Sequence, residues 1–289
     1  MNITRRGLLG LLSGAAAAIG VPSIWAYSMK TYDGSISDHF DGTRFFDPDG
    51  VPPKSLGEVL RWQFGPGRER QAWPEWAPSP HADTPPRRVG GDKVRLSFVG
   101  HASWLIQTSG LNILIDPVWS MRASPVSFAG PKRRNDPGIA FEALPLIDVA
   151  LVSHGHYDHL DLATLSKLAG KFSPRVITPL GNDATMRSAD SAIKAEGFDW
   201  HRRVELGGGI AVTLVPTRHW SARGLFDRNR RCGQALCWRH RQAKSTSSAI
   251  PAMATASISA ASPRRMVHCG WRSFPSAPMS RAGSCATST

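Results

Sequence analysis

The sequence predicts an α/β sandwich, and three observations carry that reading. Short apolar runs that alternate, such as V-R-L-S-F-V and G-I-A-V-T-L-V-P, recur from Lys93 onward and read as strands. D-L-A-T-L-S-K-L places Leu162, Leu165 and Leu168 at helical spacing behind Asp161, a suitable N-cap. Strands and helices that alternate along one chain bury each other's apolar faces in packed layers. The 289 residues suffice for one large domain or two small ones.

Taken in order, the chain opens with Arg5 and Arg6 before an uncharged, mostly apolar run from Gly7 to Ala26. Residues 1–26 therefore read as a signal of the twin-arginine type. The run lacks a clean A-x-A site and is just long enough to span a bilayer, so it also fits an anchor. The expected location is the periplasm or, through the anchor, the cytoplasmic membrane. Residues 27–91 are rich in Pro, Trp and Gly and read as an irregular extension, with Trp62, Trp73 and Trp76 packed onto a domain surface. Residues 92–230 hold the predicted domain. V-R-L-S-F-V, W-L-I-Q-T and L-N-I-L-I-D-P are strands, the last two joined by a turn at Ser109-Gly110. Ile147 to Ser153 is a buried strand, R-V-I-T-P-L another, and Gly209 to Pro216 another that runs toward T-R-H-W-S. His39, His81 and His201 read as surface residues.

The strand ending at Ser153 leads into H-G-H-Y-D-H, residues 154–159. Neutral imidazole and carboxylate suit zinc and similar divalent ions. On a loop at a strand end, the alternate histidines His154 and His156 serve one ion and the adjacent Asp158-His159 pair serves a second. Gly155 relieves crowding between them. Two ions a few Å apart lower the pKa of a shared water and generate hydroxide near neutral pH. The competing reading is a solvated polar loop. His219 ends a strand 60 residues past the cluster and is a further candidate ligand, with a satisfied core histidine as its alternative.

H-x-H-x-D-H after a strand resembles the metallo-β-lactamase superfamily. V-G-H-A-S-W-L-I-Q-T-S-G-L-N-I-L-I-D-P-V-W-S, F-A-G-P-K-R-R, S-H-G-H-Y-D-H-L-D, T-P-L-G-N and R-H-W-S-A-R-G-L-F-D-R-N together resemble its N-acylphosphatidylethanolamine phospholipase D-like branch, over roughly residues 40–230. The resemblance implies an αββα sandwich and a di-zinc phosphodiesterase acting on N-acyl phospholipids or similar amphiphiles. It implies that His154, His156 and His219 hold the first zinc and that Asp158 and His159 hold the second and form the catalytic pair. Asp116 would orient a ligating histidine. His101, in G-H-A-S, matches the branch and is placed with Asp116 outside direct ligation. Lys132-Arg133-Arg134 reads as a solvated charge run.

The pattern breaks after Arg230. The branch requires a bridging Asp in G-D-[TS]-G-Y and a late histidine, and neither motif occurs, so five of seven ligand positions remain. Composition changes at the same place. Residues 1–230 hold 27 basic and all 22 acidic residues, whereas the last 59 hold eight basic residues, no acidic residue and all four cysteines. Ser247 to Ala254, read from each codon's last base with suitable codon choice, spells G-D-S-G-Y-G. Residues 231–289 are therefore expected to be an out-of-frame, disordered tail that supplies no strand. The sandwich would be incomplete, the first sheet's inner face would be open to water, and one zinc or none would be bound with little turnover. The alternatives are a lactonase or nuclease of the same superfamily, or a non-functional gene remnant. The net charge of +13 sits mostly in the tail, and no basic stripe with interleaved aromatics marks residues 1–230, so no nucleic-acid partner is expected. The expected partner is an amphiphilic phosphodiester substrate, with membrane association.

Overall fold

The computed structural model describes residues 29, 31–48, 55–66, 74–79, 82–217, 219–224 and 226–240. Helix α1 spans Leu56–Phe64, and β1 (Val94–Gly100), β2 (Ser103–Thr108) and β3 (Leu111–Ile115) follow. β4 (Val149–Leu151), helix α2 (Leu162–Phe172), β5 (Arg175–Pro179) and helix α3 (Asn182–Ala189) come next. The last elements are β6 (Lys194–Phe198), β7 (Arg203–Gly207), β8 (Ile210–Pro216) and β9 (Gln234–His240). Strands β1 to β6 form one sheet in sequential order, antiparallel across β1–β2–β3 and parallel across β3–β4–β5–β6. Strands β7–β8–β9 form a second, antiparallel sheet.

The two-residue period of the central strands builds two cores. Leu105, Leu114, Ala150 and Val176 point to one face, where Leu165 and Leu168 of α2 and Met186 of α3 cover them. Their neighbours Ile106, Ile113, Ile115, Val149, Leu151 and Ile177 point to the other face, against Val204, Leu206, Ile210, Val212 and Leu214 of the second sheet. The described residues thus form a helix layer, a mixed sheet and a second sheet. This is the predicted α/β sandwich, with the inner face of the first sheet covered: Ile113 and Ile177 are 2% and 0% exposed. The expectation of an open inner face is corrected, because β8 and its partners lie over it.

α2 begins as predicted. Asp161 accepts from the Thr164 amide (3.2 Å) and hydroxyl (2.6 Å), and also from the Trp119 and Ser120 amides. Besides α1, four strands and α-helices lie outside the sequence reading. α3 (N-D-A-T-M-R-S-A) and β6 (K-A-E-G-F) are too polar to show a period. β7 (R-V-E-L-G) does alternate, with Val204 and Leu206 inward. β9 is the fourth. It pairs with β8 from Ile210↔His240 to Pro216↔Gln234, so a strand does follow Arg231, against the expectation of a strandless tail. A sheet edge presents a row of unpaired N–H and C=O groups with which an extended segment can pair. Residues 241–289 lie outside the described residues, as do 1–28 with the signal or anchor. Among the described residues no helix is long and apolar enough to cross a membrane.

The extension also differs from its reading. α1 is a regular helix opened by a capping box, in which the Ser55 hydroxyl accepts from the Glu58 amide and the Glu58 carboxylate accepts from the Ser55 amide (2.8 Å). Trp62 and Trp76 are 67% and 39% exposed rather than buried against the domain; Trp73 lies outside the described residues. His39 is buried rather than on the surface. Its ring bonds to Asp38 and Asp199 and stacks on Trp200 at 4.1 Å. His201 is exposed as expected, and His81 lies outside the described residues.

Candidate metal centre

The ionisable cluster sits where strands of both sheets end. Asp116 follows β3, Ser153 and His154 follow β4, and His219 follows β8. Backbone groups at strand ends are no longer engaged in the ladder, so loops there can splay side chains into a common space. His154 Nε2, His156 Nδ1 and His219 Nε2 converge, with separations of 2.9 Å (154–156), 3.1 Å (154–219) and 3.2 Å (156–219). Beside them, His101 Nε2 lies 3.0 Å and His159 Nε2 3.9 Å from Asp158 Oδ2. Ring centroids of His154 and His159 are 4.1 Å apart, so the two groups adjoin.

Asp116 links them. It is fully buried, and its Oδ1 accepts from the Ser153 amide at 2.7 Å. Its Oδ2 faces both Ser153 Oγ and His159 Nδ1 at 2.8 Å. An ionised carboxylate only accepts, so both partners donate to it. The one Ser153 hydroxyl proton is thereby used, and His154 Nδ1 must donate to Ser153 Oγ at 2.9 Å. Both His154 and His159 then present a bare Nε2. His156 turns its Nδ1 to the shared point, and its Nε2 is buried with no hydrogen-bond partner among the described residues.

The electrostatics agree. Burial, then the charges of His159, His156 and His219, hold His154 far below the usual imidazole value. Burial and the neighbouring His219 push His156 down to about 4. Burial, with His159, also lowers His219. Burial opposes charge on His159, but its bond to Asp116 outweighs burial and raises it. Burial raises Asp158, but the His101 hydrogen bond and the His159 charge more than reverse that, leaving a carboxylate at neutral pH.

The donor sets fit divalent metal. Nitrogens about 2.0–2.1 Å from a tetrahedral zinc lie about 3.3 Å from one another, and the first trio stands close to that spacing. Three neutral rings with bare nitrogens aimed at one point repel each other unless a cation separates them. His154, His156 and His219 could hold one ion, and His101, Asp158 and His159 another.

The loop is pinned from beneath. Arg223 is buried; its Nη1 donates to Gly155 O (3.0 Å) and Leu160 O (2.8 Å), and its guanidinium lies 3.9 Å over the Tyr157 ring. A Cβ on Gly155 would stand 2.7 Å from Ser221 Oγ and 2.9 Å from Asn182 Oδ1, so only glycine fits. Asp227 accepts from the Arg223 and Gly224 amides and from buried Arg231 at 2.6 Å. Arg231 in turn donates to Thr185 Oγ1. Sequence reasoning missed Ser153, Arg223, Asp227 and Arg231 as parts of the centre, and it drew the tail boundary at Arg231, a residue fully enclosed by this network. S-A-R-G-L-F-D-R-N was visible as a string but not as a brace. The charge run divides: Arg133 Nη2 donates to Val118 O at 2.8 Å while Lys132 and Arg134 stay exposed.

This geometry decides between a polar loop and a metal centre only together with the family signal. A model of the beta-lactamase superfamily domain matches residues 111–265, more than half of the chain. The chain belongs to the metallo-β-lactamase superfamily. An uncharacterized protein of Mycobacterium tuberculosis is 33% identical over 226 residues, covering 75% of this chain and 58% of that protein. An N-acyl-phosphatidylethanolamine-hydrolyzing phospholipase D of Caenorhabditis elegans is 37% identical over 144 residues, 47% of this chain and 40% of that enzyme. The chain thus spans just over half the length of its mycobacterial relatives. Among solved structures, a metallo hydrolase of Ignicoccus hospitalis aligns over 52% of this chain and 57% of its own, with 17% identity and a TM-score of 0.37. This member of the metallo-β-lactamase superfamily carries its His-rich clusters where strands of both sheets end.

Proposed function

We propose that this chain derives from a zinc-dependent phosphodiesterase of N-acylated phospholipids or similar amphiphiles, with turnover limited by an incomplete second ligand set. The observation that carries the reading is the convergence of His154, His156 and His219 within 3.2 Å beside Asp158 and His159. The C. elegans relative supports the substrate class by its name.

In this reading His154, His156 and His219 hold the first ion, and Asp158 and His159 contribute to the second. Bound there, zinc supplies Lewis acidity and an activated water near neutral pH. The chain's own residues do the rest. Asp116 fixes the tautomers of His159 directly and of His154 through Ser153, so that in each neutral ring the bare nitrogen is Nε2. Asp158, ionised and partly exposed, stands at the open side, where it would help hold the second ion and could orient a nearby water by accepting its hydrogen bond. Trp220 packs edge-on against His156 at 4.5 Å and is 46% exposed, which gives an acyl chain an apolar contact beside the polar centre.

The test is hydrolysis by the purified zinc-loaded chain. N-acylphosphatidylethanolamine in mixed micelles, an acyl-homoserine lactone and single-stranded DNA are offered in parallel. Slow release of phosphatidic acid, abolished in His154→Ala, is the expected result. Lactone or DNA cleavage without phosphatidic acid overturns the substrate assignment. Full activity at two tightly held zinc ions overturns the proposed impairment.

A further inference from the structure

We propose that His101 is a metal ligand, closing with Asp158 and His159 a second site made entirely within the first half of the domain. This deepens the metal-hydrolase reading above and rests on it. It assigns His101 a role different from the placement outside direct ligation that its sequence context implies.

Four observations carry the assignment. The first is distance: His101 Nε2 lies 3.0 Å from Asp158 Oδ2, whose other neighbour at 3.9 Å is His159 Nε2. The three candidate ligand atoms all fall within 4.8 Å of one another. The second is the donor set: two imidazole nitrogens and one carboxylate are what zinc takes at a three-ligand site that keeps a fourth position open. His159 offers Nε2 there because its Nδ1 is committed to Asp116 at 2.8 Å.

The third is backbone conformation. His101 has φ 50° in the turn between β1 and β2, after Gly100 at φ 149°, where the ladder register shifts between Phe98 and Gly100. Positive φ is uncommon outside glycine, although histidine is among the residues enriched there and His201 shares it at φ 64°; at His101 its effect is positional. Here the turn swings the ring across the sheet end to lie edge-on to His159 at 5.4 Å between centroids. The fourth is exposure: the side chains of His101 and Asp158 are 53% and 44% exposed while that of His159 is 7%. A pair so exposed gains little from charge attraction alone. The arrangement instead places two open ligands over one anchored ligand, on the side from which a substrate must arrive. A chain lacking the G-D-S-G-Y turn and the late histidine in frame can still complete three ligands at this position.

The experiment counts metal on the full chain, stripped with EDTA, dialysed against zinc and analysed by mass spectrometry, with cobalt(II) absorption as a second readout. Zinc and cobalt ions alone are the probes. Asparagine tolerates a left-handed backbone but is a poor ligand, and aspartate tolerates it and ligates. The wild type is expected to hold two ions, His101→Asn one, His101→Asp two, and His219→Ala only the second. The cobalt spectrum of His101→Asn should retain only the three-histidine signature. Far-ultraviolet circular dichroism of each variant reports the fold. A wild type with one ion that is lost in His219→Ala and unaffected in His101→Asn overturns the His101 assignment and leaves the hydrolase reading standing. Two ions in both wild type and His101→Asn also overturn it. No bound ion in any form overturns both.

Discussion

Replacing Asp116 with asparagine leaves shape nearly unchanged and reverses one proton position. The Asp116 side chain accepts three bonds, from the Ser153 amide (2.7 Å), the Ser153 hydroxyl (2.8 Å) and His159 Nδ1 (2.8 Å). If the asparagine oxygen keeps the Ser153 amide, its NH2 faces His159 Nδ1 and Ser153 Oγ. His159 Nδ1 must then accept, its proton moves to Nε2, and the ring can no longer ligate without a tautomer shift. Outer partners of this kind are worth about 10–100-fold in metal affinity, or about 1.4–2.7 kcal/mol at room temperature. His154 is reached only through a rotatable hydroxyl, so its ion should weaken less. Loss of the charge-assisted bonds should also lower metal-free stability by about 1.5–3 kcal/mol. Zinc titration calorimetry separates the two ions, and urea unfolding in EDTA measures the fold. Wild-type affinity for both ions in Asp116→Asn, with only the stability loss, would refute the tautomer argument and leave Asp116 a purely structural residue.

Two further outcomes follow from the same network. The metal-free protein should lose stability as pH falls from 7.5 to 5.5. Folded His154, His156 and His219 have lowered pKa values, so the unfolded chain binds more protons below about 6.5. Each such ring gives a slope of up to about 1.4 kcal/mol per pH unit. His159, raised, acts in the opposite sense, with stability present below its unfolded value and lost as pH rises through the folded one. Urea midpoints in EDTA should therefore fall at pH 5.5 and fall less in His156→Gln; an equal or higher midpoint at pH 5.5 contradicts the assignment. Asp227→Ala leaves Arg231 buried without its carboxylate, since both side chains are 0% exposed. The expected loss is about 3–5 kcal/mol, read from urea unfolding, and a loss under about 1 kcal/mol would show that this pair does not brace the metal loop.

How much was legible follows from how each signal is encoded. Strands β1 to β5 of the central sheet declare themselves through apolar runs or alternation, as in L-N-I-L-I and R-V-I-T-P. The start of α2 was readable from Asp161 alone, since a cap acts over three residues. α3 and β6 were not, because polar elements at a layer's margin need no apolar period. The histidine loop was legible from H-x-H-x-D-H at the end of an apolar strand, and His219 from its place after β8.

The sequence by itself therefore determined the fold class, the strand-end location of the histidine cluster and most of its candidate ligands, because these depend on residues near one another in the chain. Tertiary structure decided what distance along the chain conceals. Asp116 reaches Ser153 and His159 across 37 and 43 residues, and His101 meets Asp158 across 57. Arg231 is drawn into the core beneath the loop by Asp227 and Thr185. Only the register of the sheets, with β1 and β2 folded back beside β3, brings a turn histidine into reach of the second carboxylate. No local pattern records that register, because it is set by which apolar faces the packed layers leave to be buried.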